Sequence, residues 1–557
     1  MAESRTPDDT PWMAGPPAPV RRNHHGTAVT LAVVALMIVV AFIAVISAKP
    51  DRRAPDPERV GARPAGVDLV VAAGAPISWD PARIGDATSA AALSQVWEGL
   101  TTLDQAAQVR PALASSWQVE DGGRRITFQL RDGITFSDGT PIRGEDVVAS
   151  WLRGLDPTDP SPLVGLLGDI SGAREYLAGT GKREDVAIRA DGGTITVDFA
   201  RPASWFPAAA ASPTLAIVPA SLGDQARSPH LPAGGLVVSG AYIPTAQDAG
   251  TITLAANPAY WAGTPAIATI AMLTDTGGRS PVEVFQSGDA DYVNVSSDDA
   301  AWLAYDRNLG PQLRRNDDLS VRYYGFDTTR PPFDDVHVRR AVAMAVDWDR
   351  LVRLDDPRAV VATSLVPAGI ALRSDEDLSP VHDPDAARAE LAAAGYPGGV
   401  GLPPITMVTD GNGTDEAVAV ELQRELGMTV TVEAMPFGDY SDRLTNEPPQ
   451  IFALDWIADY PHPNDFLGLL LETGSSANTG RWSQPAFDAM LEAAASTSDP
   501  AEQSAAYAAA ERIVQEEAPL IPLRYGETWA LSRDGLMGAN QVGMGYLRFA
   551  GLAWEGQ

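Results

Sequence analysis

Cysteine is absent from this chain of 557 residues. Without a thiol there is no disulfide framework, no cysteine nucleophile, no thiolate-held zinc or iron–sulfur site and no lipid-bearing cysteine. Lysine is nearly absent, occurring only as Lys49 and Lys182, and 41 Lys and Arg face 72 Asp and Glu for a formal net charge of −31. Binding a polyanion needs clustered Arg and Lys, so this balance excludes a nucleic-acid partner. Histidine is sparse: His24, His25, His230, His337, His382 and His462 form no HExxH or other zinc spacing. No GxSxG elbow and no GKS or GKT phosphate loop occurs. The acidic pairs Asp298–Asp299, Asp317–Asp318, Asp334–Asp335 and Asp355–Asp356 read as solvated loop and helix-cap residues. No metal, no cofactor and no enzymatic activity are expected.

What the chain does have is apolar mass. With 45% apolar residues it is globular, and its length suits two or three packed domains. Residues 28–48 carry no charge and as a helix would span about 30 Å, the thickness of a hydrocarbon core. Ile46-Ser47-Ala48 is a poor cleavage site after so long a run, so an uncleaved transmembrane signal anchor is expected rather than a removed leader. Arg21 and Arg22 precede the span, but Lys49, Arg52, Arg53, Arg59 and Arg63 follow it, so flanking charge does not orient it. Large domains translocate regardless of such charge, which places residues 1–27 inside as a cytoplasmic tail and the main domain outside the membrane. Residues 49–66, rich in Pro, Arg and Gly, read as a solvated linker.

The first half of the folded part alternates like strands. Val67 to Ala73 is an apolar strand, a helix follows around 88–100, and Thr194–Phe199 and Thr251–Leu254 alternate as strands. Ile126, Phe128 and Leu130, then Asp132-Gly133, then Ile134 and Phe136 predict a β-hairpin. Further on the period becomes helical. Asp334 or Asp335 can cap a helix carrying Val338, Ala341, Val342, Ala345 and Val346 on one face. Asp383-Pro384 opens another that ends at Gly395, and a third, over 415–426, ends at Gly427 before strand alternation through Met428, Val430 and Val432. Residues 501–512 form an Ala-rich helix, and helix followed by strand at this spacing is α/β.

The stretch from Phe452 to Phe466 is the most informative. Phe452, Leu454 and Trp456 share one face of a strand, and Asp459 falls where that strand gives way to a turn built on Pro461 and Pro463. A carboxylate there either accepts hydrogen bonds from its own turn or receives a cation from outside.

A run of further blocks resembles one family. Trp79-Asp-Pro81, Trp97-Glu-Gly-Leu-Thr-Thr-Leu-Asp104, Pro111-Ala-Leu-Ala-Ser-Ser-Trp117, the segment Phe128 to Pro141, and Glu145-Asp-Val-Val148 come in order. Ser239-Gly-Ala-Tyr242, Asn257-Pro-Ala-Tyr-Trp261, Ser287 to Asp291, Val338-Arg-Arg-Ala341, Ala345-Val-Asp347 and Ala518-Pro-Leu-Ile-Pro522 continue the series. Together, over about 67–530, they resemble the family 5 extracellular solute-binding proteins, the peptide and nickel receptors of ABC importers. The resemblance implies a two-lobed periplasmic-binding-protein-like α/β fold, type II in its large three-domain form, hinged between lobes. It places lobe I at 67–95, 200–274 and 521–557, an inserted domain at 96–199 and lobe II at 275–520. It also implies that Asp459 pairs with the α-amino group of a short peptide, with Tyr460 beside it. Asp455, Trp456 and Ile457 would border the peptide backbone, and Ile84, Gly85 and Asp86 would face them from lobe I. Trp97 and Trp261 are expected in the core.

The chemistry agrees with that expectation on its own terms. A carboxylate in a dry cleft makes a charge-assisted hydrogen bond to an ammonium, and an open strand edge satisfies peptide amides whatever the side chains. The expected protein is a monomeric, membrane-tethered receptor that passes short peptides to ABC permease subunits. A sensory or envelope-associated protein on the same lobes, or a receptor for nickel chelates, sugar oligomers or opines, are the other readings. The missing lipid-bearing Cys departs from the family's habit, and the span at 28–48 would replace it.

Overall fold

The computed structural model describes residues 63–411, 414–540 and 543–556. The apolar run 28–48, with every expectation placed on residues 1–62, lies outside them. Among the described residues no helix is long and apolar enough to cross a membrane.

Two long strands, Leu313–Phe326 and Leu520–Ser532, run antiparallel through the middle of an eleven-stranded sheet. Their register runs from Leu313 opposite Leu531 to Asp317 opposite Glu527, breaks, and resumes from Val321 opposite Tyr525 to Gly325 opposite Leu520. The break is also where each strand changes company. Trp529–Ser532 pair with Tyr292–Val295, and the sheet continues through Leu69–Ala72, Thr269–Leu273, Thr251–Ala256 and Tyr242–Gln247. Ser320–Phe326 instead pair with Ile451–Ile457, beyond which lie Ile405–Thr409 and Val430–Ala434. Gly526 sits at this waist because a Cβ there would come within 1.9 Å of Ser320 Oγ.

Local signals explain most elements. Leu-Val-Val-Ala at 69–72 is buried almost throughout, as a strand with parallel neighbours on both sides must be. Asp335 accepts the His337 amide and starts Val336–Ala345. Asp383 does the same for Pro384–Ala393, and Gly427, at φ +66°, ends Asp415–Leu426 just before Val430–Ala434.

The hairpin expected around Asp132-Gly133 does not form. Arg125–Leu130 lies between Ala114–Glu120 and Thr194–Asp198 in a separate four-stranded sheet that ends with Ile188–Asp191. Ile134 and Phe136 fold back on themselves, joined to Ile142 and Thr140 by short backbone bonds. Both side chains are buried in the core of the four-stranded sheet, so their alternation marks burial rather than pairing.

This smaller region docks on the second half of the chain. Arg201 pairs with both Asp169 and Glu472, Ser204 N donates to Ala495 O, and Tyr460 and Ala495 lie in the same apolar cluster as Phe128, Trp151 and Phe206.

Candidate functional site

Strand Ile451–Ile457 is paired along one edge with Ser320–Phe326, but along the other only at Ile451 and Phe452. The Tyr440 hydroxyl donates to Ala453 O, and beyond that no described strand covers Leu454 to Ile457 on the second edge. An open strand edge is therefore presented just before the turn.

The turn itself is held from inside by Asp465. His462, its imidazole Nδ1 accepting the Asn464 amide, caps the helix Pro463–Leu471, and Asp465 falls in that helix's first turn. One Asp465 oxygen accepts the Asp459 amide at 3.2 Å and the other the Trp456 indole N–H at 2.9 Å. Burial drives the His462 imidazole down to about 3, so it is neutral and free to accept.

Asp459 is half-buried, and its carboxylate takes no hydrogen bond or ion pair from any described residue. Burial pushes its carboxyl up to about 6. Asp465, fully buried, is driven well above the usual carboxylate range by burial first and by the charge of Asp459 second. The two carboxyls repel, which adds to the burial that raises Asp465. The turn-bonding role that an Asp at position 459 could have played belongs to Asp465.

Asp455 is in the opposite state. The buried Arg322 donates to Asp455 Oδ2 at 2.5 Å and to Asp410 Oδ1 at 2.9 Å. Burial opposes the Arg322 charge, but the Asp410 hydrogen bond and the two carboxylates outweigh it and raise the guanidinium's pKa. Ile457 is exposed and Trp456 half-buried, both on the open edge.

Tyr460 departs from its expected place beside a ligand. It is 0% exposed, its ring stacks on Trp205 at 5.4 Å and 20°, and its hydroxyl accepts from Asn464. Apolar area against Trp205 outweighs exposure here, so Tyr460 fastens the turn to the region of the smaller sheet. Gly85 and Asp86 are exposed, and Asp86 is committed to capping Ala87–Val96 through the Ser89 amide at 2.8 Å. Ile84 is buried. No described hydrogen bond or ion pair joins Gly85 or Asp86 to residues 455–460. Trp97 is core, and Trp261 is half-buried under the Arg131 guanidinium.

Sequence reasoning missed Asp465 and Arg322. Asp465 follows His462-Pro463, a helix start, and an Asp in such a first turn signals bonds to neighbouring amides. Arg322 offered no signal, since it becomes the partner of Asp455 only through the pairing of two distant strands.

Comparison with known proteins converges on one group. Residues 108–478 match the model of the bacterial extracellular solute-binding proteins, family 5 Middle. "Probable deoxycholate-binding periplasmic protein YgiS" of Escherichia coli K12 is 31% identical over 470 residues, covering 81% of this chain and 86% of its own length. The oligopeptide-binding protein OppA of Bacillus subtilis 168 is 25% identical over 85% of this chain and 90% of its own. Among solved structures, the unliganded open form of the murein tripeptide binding protein MppA superposes with a TM-score of 0.73 at 24% identity, covering 88% of this chain and 98% of that one. Listeria monocytogenes OppA bound to peptide gives 0.65 at 21%, covering 87% and 98%. The periplasmic-binding-protein-like α/β fold of the OppA and MppA type is thereby shown.

Proposed function

Because the chain belongs to the bacterial extracellular solute-binding proteins of family 5, we propose that it captures short peptides by their free amino terminus and delivers them to the permease subunits of an ABC importer. Asp459 is the anchor, and the observation that carries the reading is its half-buried carboxylate without a partner, set at the end of an open strand edge. An ammonium would meet the ionised Asp459 carboxylate in a charge-assisted hydrogen bond. Peptide amides would pair along Leu454–Ile457, adding backbone bonds that do not depend on side chains.

The lobes of this reading are 67–95 with 200–274 and 521–557, and 275–520, the insert being 96–199. The waist at Asp317–Val321 and Tyr525–Glu527 would be their hinge, since each crossing strand changes neighbours there. Gly85 and Asp86 would approach the ligand on closure. The apolar run 28–48 would hold the monomer at the membrane with its main domain outside. Relatives named for oligopeptides, murein peptide and glutathione support a peptide class.

YgiS, named for deoxycholate, brings a second ligand to mind. Deoxycholate is an acid without an amine, and its carboxylate would meet Asp459 as a like charge. Calorimetry with matched free and amino-acetylated di- to pentapeptides tests the reading: the free forms bind and the acetylated ones do not. Equal affinities would remove Asp459 from the site and move the ligand toward solutes without an amine.

A further inference from the structure

Leu313–Phe326 does not run evenly past Leu520–Ser532. Asp317 is opposite Glu527 and Val321 opposite Tyr525, so Asp318, Leu319 and Ser320 stand against Gly526 alone. A bulge of this kind breaks the ladder and re-aims what the strand carries. Room for it comes from the missing side chain at 526, where a Cβ would come within 1.9 Å of Ser320 Oγ and 3.3 Å of Asp318 Oδ2.

The backbone groups that the bulge turns away from its partner strand are taken up elsewhere. The Leu319 N–H donates to Gly543 O, and Leu319 O accepts the Ala458 N–H at 2.9 Å. Ala458 precedes Asp459, whose own N–H is held by Asp465. Leu319 and Ala458 are both buried and lie in one apolar cluster with Phe466 and Leu467 of the helix that follows the turn. The turn that carries Asp459 is thus mounted on a crossing strand at one end and on Pro463–Leu471 at the other. Asp318 shows that the bulge is maintained at a cost: its side chain is buried, and burial raises its carboxyl, with the Ser320 hydroxyl offsetting part of the rise.

We propose that the bulge Asp318–Ser320 positions Asp459: it holds Ala458 through Leu319 O, keeps the anchor carboxyl enclosed at the end of the open strand edge, and passes movement of the waist on to it. This rests on Asp459 as the ligand's anchor and adds what regulates that site. Each crossing strand changes neighbours at the waist, so a shift there moves the anchor, and a ligand held at Asp459 in turn favours one setting of the waist.

Thermal melts at pH 7 read the positioning without any ligand. Burial pushes the Asp459 carboxyl up to about 6, so its ionised form is unfavourable in the folded chain and Asp459→Asn raises Tm. In a Gly526→Ala background the bulge is displaced, Leu319 O draws away from Ala458, Asp459 is less enclosed, and that rise falls to under about half. Ser320→Ala, which removes the hydroxyl that a Cβ at 526 would meet, restores it. Gly543→Ala, whose Cβ would lie 2.8 Å from Leu319 Cγ, takes the place of Gly526→Ala should that variant fail to fold. A general loss of packing would lower every melt and leave the Asp459→Asn rise as it was. Calorimetry with trialanine gives a second readout: Gly526→Ala weakens it about tenfold and moves the break in Kd against pH from about 6 toward the ordinary carboxylate value. A full Asp459→Asn rise in folded Gly526→Ala, no rise in the wild-type background, or no restoration by Ser320→Ala would each overturn the proposal. Should trialanine fail to bind the wild type while the melts behave as described, the peptide reading falls and the positioning stands.

Discussion

Asp455 and Asp459 stand four residues apart on one segment and meet opposite fates. Asp455, at the strand, is exposed yet neutralised by Arg322, which also holds Asp410. Asp459, at the turn, is more enclosed yet has no counter-charge among the described residues, and its charge adds to the burial that raises the neighbouring Asp465 carboxyl. Enclosure without compensation is unfavourable for the empty protein, and on the proposed reading the turn is where an incoming cation would gain most. Proximity to the strand edge is shared by both residues; availability is not.

The contrast is broken most severely by Asp459→Asn. Removing one partner of an enclosed, hydrogen-bonded charge pair typically costs about 2 to 5 kcal/mol, so calorimetry is expected to show affinity for a free-amine peptide lowered roughly 10- to 1000-fold or more. Loss of less than tenfold would place the ammonium elsewhere.

Acid should reproduce the same defect reversibly. An ammonium binds the ionised carboxylate, and burial holds the Asp459 carboxyl up to about 6. Peptide affinity should therefore be flat above that value and fall by up to about tenfold per pH unit below it. A titration of Kd from pH 8 to 4 that shows no break near 6 in wild type, or the same break in Asp459→Asn, contradicts the assignment.

Stability should move in the other direction. The folded carboxyl binds its proton to a higher pH than the ordinary value of 3.8. Between those two pH values the folded chain holds a proton that the unfolded chain has released, so stability falls as pH rises through that window, and the loss is complete above it. Asp459→Asn removes the loss, and thermal melts at pH 7 should show a gain on the order of 1 kcal/mol, vanishing toward pH 4. Such a gain on replacement would support a ligand-binding role for Asp459.

The smallest effect is expected at Asp455. Arg322 keeps Asp410 when Asp455→Asn is made, and an exposed partner in a pair contributes under about 1 kcal/mol, so peptide affinity and melting temperature should both change little. A large loss of affinity at 455 with a small one at 459 would invert the comparison.

These two residues also show how far the chain could be read before its structure. Elements with their own punctuation were legible: Asp335, Asp383-Pro384 and Gly427 mark helix ends by local hydrogen bonding, and local chemistry is written locally. The position of Asp459 was legible too, as a carboxylate between an apolar strand and a proline turn. Its lack of a partner was not, because that depends on every neighbour brought in from elsewhere. Arg322 reaches Asp455 across a ladder between residues 133 positions apart. The charged run Arg314-Arg-Asn-Asp-Asp318 gives no strand pattern, yet it is the first half of the longest strand described. Tyr460 looked like a ligand contact by position and became a fastener because Trp205 arrives beneath it.

The crossing strands carry a consequence for how the protein is made. Leu313–Phe326 finds its partner Leu520–Ser532 only across a loop of nearly two hundred residues, and at ribosomal speeds of about 5 to 20 residues per second that partner is synthesised roughly 10 to 40 s later. Until then the middle of the sheet has an unpaired edge and cannot close. A nascent chain that is unable to complete its central sheet before Leu520–Ser532 appears stays threadable through a translocon until then, and pairings so distant in sequence fold slowly once released. Late closure thus suits a domain that has to finish folding on the far side of a membrane.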